Sequence, residues 1–166
     1  MRRTTRKSRA ALVASAASAA MLAGSVALAP GAGAVTPDRA TAQYDCGAWG
    51  PSTTTFFTAT QSGSAATITV TLSSLTAPIP VQTNSVTSTL VLAENGGWET
   101  TEFTGTINPY LSVGDPFVLG PLSGTVAPDD SLDSSAGGPY SLRMVLFGIT
   151  INCVAKSTLS PGPFVF

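Results

Sequence analysis

The chain has 166 residues, formal net charge −1, no histidine and two cysteines. The missing histidine removes Ser-His-Asp and Cys-His catalysis and the commonest zinc ligand. Five of the eight basic residues lie in the first nine positions, so the rest of the chain is strongly acidic.

Arg2, Arg3, Arg6, Lys7 and Arg9 form a basic start, and residues 10–29 carry no charge. Small Ala32 and Ala34 then precede Val35. This order of charge, apolar run and A-x-A site is that of a secretory signal, cleaved between Ala34 and Val35. A retained membrane anchor is the weaker reading, because Ser15, Ser18, Gly24 and Ser25 interrupt an alanine-rich run. Arg2-Arg3 raises twin-arginine export, but Thr5-Arg6 stand where an apolar residue belongs, which favours the general route. The expected organisation is a helical signal at 1–34 outside the fold, a flexible tail at 35–43 and one β domain at 44–166.

Cleavage leaves three cations, Arg39, Arg143 and Lys156, against nine carboxylates, a net charge of −6. Such a surface does not neutralise a run of phosphates, so nucleic acid is excluded as a partner. Anionic membranes are disfavoured for the same reason, and no membrane partner is expected for the mature form.

From Tyr44 the pattern has the period of strands. STTTFFTAT, mostly Thr and Ser, reads as the N-terminal strand. In AATITVTLS, Ile68, Val70 and Leu72 alternate with Thr67, Thr69 and Thr71. NSVTSTLVLA repeats this through Val86, Leu90 and Leu92, and Asn95-Gly96-Gly97 supplies a hairpin turn. TTEFTGTI is its partner strand, with Phe103 and Ile107 on one face, and NPYLSVGDP reads as a loop. FVLGPLSGTV is a strand interrupted at Gly120-Pro121, hence an edge or a bulge. APDDSLDSSAGGP is the longest polar loop; YSLRMVLFGITINC reads as one apolar central strand. SPGPFVF closes as an edge strand.

About seven short strands with hairpin spacing predict an all-β, antiparallel β-sandwich of Ig-like architecture, with a closed barrel as the alternative. Cys46 and Cys153, 107 positions apart, pair in an exported protein as a staple between first and last strands.

The chemistry-bearing groups are few. Trp98 beside the NGG turn and Tyr110 in the next loop are the candidate binding residues, suited to stacking on a sugar or anchoring a protein. Asp129, Asp130 and Asp133 are weak metal candidates that read better as a solvated turn. Glu94, Glu99 and Glu102 around the turn suggest a carboxylate pair for glycoside hydrolysis, against the simpler reading of charges guarding an edge. Trp49 is expected to pack on the disulfide. No cofactor is implied.

The alanine-rich start, YDCGAWG, VGDPFVLGPLSGTV and SPGPFVF together resemble small secreted actinobacterial β-sandwich proteins, a group mostly without assigned function. The resemblance implies an extracellular sandwich and carries over no catalytic residue. Enediyne-carrier proteins are similar in size, acidity and export, but they hold two disulfides, so their ligand pocket does not transfer. The resulting expectation is a secreted or cell-wall-associated non-catalytic binding or surface-structural module, with an extracellular protein or glycan as partner. A carboxylate glycosidase and an inhibitor of secreted proteases, using loop 108–116 or 128–139, are the alternatives.

Overall fold

A computed structural model describes residues 34–135 and 137–166. The expected signal therefore lies outside the described residues, apart from Ala34 at its expected end. All regular structure described is antiparallel β, apart from one 3₁₀ turn at Gly47–Trp49. No helix among the described residues is long and apolar enough to cross a membrane.

Ten strands make one sheet among the described residues: β1 (Arg39–Asp45), β2 (Thr53–Ser62), β3 (Ala65–Thr76), β4 (Thr87–Glu94), β5 (Thr100–Gly105), β6 (Pro116–Thr125), β7 (Ser131–Ser134), β8 (Leu142–Leu146), β9 (Ile149–Ala155) and β10 (Phe164–Val165). The sheet does not stack on a second one. It closes on itself in the order β4-β5-β6-β3-β2-β1-β9-β8, and β8 returns to β4 through Thr87↔Val145 to Leu90↔Leu142. The expected seven-stranded sandwich is thus corrected to an eight-stranded barrel. Alternation of buried and exposed residues is common to both architectures; the β4–β8 pairing decides between them, because it leaves the sheet no open end.

The barrel is closed differently at its two ends. At one end β9 pairs with β1 through Tyr44↔Ala155 and Asp45↔Val154, and β8 pairs with the first half of β4. At the other end β4 exchanges partners and pairs with β7 through Leu92↔Ser134 and Glu94↔Leu132. β10 pairs with β7, and Val165 bridges back to Thr36 ahead of β1. The C-terminal segment expected as an edge strand therefore seals a seam between β7 and β1.

Residues 35–43, expected as a flexible tail, belong to this wall. Val35, Ala40 and Ala42 are buried, and Arg39 to Tyr44 pair with β2. The alternation Ala40, Ala42, Tyr44 carries the strand, but two of its three inward residues are alanines and give a weak hydrophobic signal. YSLRMVLFGITINC, expected as one strand, is a hairpin. Phe147 and Gly148 form its turn at φ 52° and 76°, and Leu146 faces Ile149 across it.

The interior is filled by inward positions from each strand of the ring, among them Phe57, Ile68, Val70, Leu90, Leu92, Phe103, Leu119, Leu122, Leu142 and Ile151. Gly120 and Pro121 together oppose Thr69, the pairing running Ile68↔Leu122 and then Val70↔Leu119. This is the bulge anticipated at Gly-Pro, and bulges of this kind increase the local twist that closure needs. A side chain at Gly120 would come within 2.8 Å of the Ile68 carbonyl oxygen.

Cys46 and Cys153 form the expected disulfide. It ties the residue after β1 to β9, one step beyond the last β1–β9 pair, with Cα atoms 4.0 Å apart. In the chain-entropy picture so long a loop restricts the unfolded state by about 4–5 kcal/mol.

Candidate functional site

A groove of about 360 Å³ lies on the outer face of the β4–β5 hairpin. Its floor follows from strand alternation. Leu90 and Leu92 of β4 and Phe103 of β5 point into the barrel, which turns Val91, Ala93, Thr100 and Glu102 outward. The register places Val91 opposite Glu102 and Ala93 opposite Thr100, so the floor is two cross-strand pairs wide.

One wall is the β4–β5 turn. Asn95 and Gly96 adopt φ of 50° and 68°, as the Asn-Gly pair predicts, and Glu94 N–H donates to the Glu99 carbonyl at 2.8 Å. This turn lifts Trp98 clear of the barrel at 97% exposure.

The other wall is formed by Ser135 and Gly137 to Tyr140, and the exchange of partners along β4 produces it. Ser134, ending β7, pairs with Leu92; Leu142, opening β8, pairs with Leu90. The chain between them must leave the sheet beside Val91. Buried Ser141 pins its return: the Ser141 hydroxyl donates to the Ser135 carbonyl and accepts from Ala155 N–H at 2.9 Å. Val91 N–H donates to the Ser141 carbonyl at 2.8 Å. Gly137, Gly138, Pro139 and Tyr140 line the groove from this side. The Arg143 guanidinium lies over the Tyr140 ring, 5.1 Å from its centroid.

The structure separates the two expected binding aromatics. Trp98 precedes β5, whereas Tyr110 follows it and sits at the opposite end of the barrel, 52% exposed, beside the Val81–Leu111 bridge. Tyr140, and not Tyr110, lines the groove together with Trp98. The sequence signal for it was slight: an aromatic after Gly-Gly-Pro, at the end of the longest polar loop.

The acidic candidates are dispersed. Asp130 accepts from Ala127 N–H at 2.6 Å, and Asp133 accepts from the N–H groups of Ser134 and Leu159, both at 2.7 Å. Asp129 is exposed at φ 69° and donates its N–H to the Phe166 carbonyl. These carboxylates shape turns, and among the described residues no group of three His, Cys, Asp or Glu is placed to hold a metal. Glu94 and Glu102 lie on opposite faces of the hairpin. Glu94 turns toward the barrel and accepts from the Thr101 hydroxyl at 3.0 Å, while Glu102 faces the groove, so they do not flank one bond.

The two candidate inhibitor loops are tied down. Segment 128–139 contains β7, and in 108–116 the Asp115 carboxylate accepts from Ser112 N–H at 2.7 Å. Buried Asn108 uses its whole amide: Oδ1 accepts from Ser85 and Val86 N–H, and Nδ2 donates to the Gln82 and Pro109 carbonyls. Trp49, expected on the disulfide, is 48% exposed and lines a second hollow of about 120 Å³ with Leu75, Ile79, Phe117, Phe147 and Ile149.

No protein-family model, curated protein or solved structure matched the chain.

Proposed function

We propose that the chain is exported and acts as an extracellular, non-catalytic binding module that takes a glycan in the groove between Trp98 and Tyr140. The observation that carries this reading is the exposure of Trp98. A large ring held at 97% exposure contributes almost nothing to the core, so folding gives no reason for its position. It lines the groove with a second aromatic, Tyr140, beside a floor that offers both apolar surface and a carboxylate acceptor. Two rings above such a floor suit a sugar, whose faces are apolar and whose rim donates hydrogen bonds. The disulfide supports an oxidising compartment.

Co-sedimentation with insoluble polysaccharides and cell-wall preparations tests the proposal. The protein is expected to bind at least one of them. Trp98→Ala should weaken that binding about tenfold, roughly 1.4 kcal/mol, with the thermal midpoint unchanged within about 2 °C. Undiminished binding by both Trp98→Ala and Tyr140→Ala variants would remove the groove from consideration. A large loss of stability in Trp98→Ala would assign the ring to the fold instead.

A further inference from the structure

We propose that the groove selects amino sugars with a free ammonium group, as in a de-N-acetylated polysaccharide, and that Glu102 is the residue that selects them. This rests on the glycan reading above and narrows it to one class of sugar.

Among the described residues Glu102 is the only charged one lining the groove. Its place on the floor is fixed by the pairing with Val91, and its side chain is exposed. Among the described residues the one ion pair is Lys156–Asp45 at 3.5 Å, so Glu102 has no cationic partner there. Its charged neighbours in the hairpin and the sheet register are Glu99, Arg143 and Glu94. Glu99 adds negative charge next to Trp98 in the turn. Arg143 is the nearest cation in the sheet register, facing Thr89 on β4, and its guanidinium is stacked on Tyr140. Glu94 points to the other face, against Thr101.

The rest of the lining is neutral: Val91, Ala93, Thr100 and the Gly137-Gly138-Pro139 wall. A neutral acetamido or hydroxyl sugar gains stacking and hydrogen bonds in such a groove. A protonated amine gains these and two further attractions. It meets an unpaired carboxylate, and it meets the Trp98 ring, whose quadrupole favours cations, while the Tyr140 ring already carries Arg143. Both attractions are modest at exposed groups, and together they set a preference of about tenfold for one sugar residue. The field of residues 35–166, with three cations and nine carboxylates, also draws a cationic polymer toward the protein.

The test is calorimetric titration of the protein with chitosan-type glucosamine tetramer and with the N-acetylglucosamine tetramer, at pH 5.5 in low and high salt. The expected result is about tenfold tighter binding of the amine. The preference should shrink in high salt and disappear in Glu102→Gln, which should bind the two tetramers equally. Equal binding of both tetramers would overturn the charge selection and leave the glycan reading intact. A preference that survives Glu102→Gln would overturn the role of Glu102. Binding of neither tetramer, with other polysaccharides still bound, would overturn the amino-sugar class; binding of no polysaccharide at all would overturn the glycan reading with it.

Discussion

The seam between β5 and β6 offers the sharpest test of how the barrel is packed. These strands share a single ladder pair, Thr104↔Ser123, and the next residue on β6 is Gly124. A methyl group at Gly124 would sit 2.6 and 2.8 Å from two carbons of the Phe103 ring and 2.9 Å from the Glu102 carbonyl oxygen. Ordinary carbon–carbon contact is about 3.5–4.0 Å, so the ring or the strand must move about 1 Å. The ring has little room. Phe103 is fully buried and stacks on Phe166 at 6.4 Å, and Phe166 meets Phe164 at 6.3 Å. Gly124→Ala should therefore fall near the upper end of overpacking costs, about 3 kcal/mol. That corresponds to a drop of about 10 °C in the thermal midpoint for a domain of this size. Phe103→Leu removes the clashing edge at a cost of about 1–2 kcal/mol, and in the double variant the new methyl occupies part of the vacated space. Urea unfolding of the four proteins gives the coupling directly. The double variant should be at least about 1 kcal/mol more stable than the sum of the single changes predicts. A Gly124→Ala protein within about 0.5 kcal/mol of the unaltered one, or strict additivity, would refute this packing.

Two further perturbations test other parts of the fold. Asn108→Ala leaves two N–H groups and two carbonyls of the connections around it without their partner, and should cost about 3 kcal/mol or more in urea unfolding. A cost under 1 kcal/mol would mean that water replaces the amide. Burial pushes the Tyr44 hydroxyl well above its ordinary value of 10; the neighbouring Ser134 hydroxyl opposes this to a lesser degree, and Asp133 adds to it. The geometry between the two hydroxyls falls short of a hydrogen bond, so both count as buried without a partner. The folded state then holds a proton that the unfolded chain releases near pH 10, and stability should fall as pH rises above about 10. Tyr44→Phe should flatten that fall at little cost at pH 7, because it removes an unpartnered donor. An unchanged alkaline slope in Tyr44→Phe would place the titration elsewhere.

Local pattern carried much of the fold into the sequence. The alternation of Ile68, Val70 and Leu72, the Asn95-Gly96 turn, the bulge at Gly120-Pro121 and the disulfide were all legible, because each depends on residues close in the chain or on the only two cysteines present. Closure was not. It depends on β4 meeting β8 across some fifty residues, and nothing in the period-two pattern of either strand names its partner. The hairpin inside YSLRMVLFGITINC was hidden for another reason. Its turn uses Phe147 at φ 52°, a conformation that bulky residues rarely adopt, so the residue type argued for a strand interior. Of the site, Trp98 was legible as an aromatic beside a tight turn. Tyr140 was not, since its place in the groove with Trp98 depends on where β7 ends and β8 begins.

That last dependence links the fold to the site. In a barrel closed by one strand pair from end to end, the outer face of β4 would be an ordinary polar strand surface. Here two short hairpin elements share its edge, β8 on Thr87–Leu90 and β7 on Leu92–Glu94. Between Ser134 and Ser141 the chain leaves the ladder, and it rejoins β4 where Val91 N–H donates to the Ser141 carbonyl. The groove wall is thus a consequence of topology, and buried Ser141, bonded to Ser135 and to Ala155, holds it in a fixed position relative to the floor. Rigid placement of this kind lowers the entropy lost on binding, which matters most for a ligand held by a few weak contacts. The same reasoning explains why Trp98 stands on a five-residue turn between paired strands. Both rings are carried by segments whose ends are locked into β4 or its partners, so their separation is set by the barrel wall and not by either loop alone.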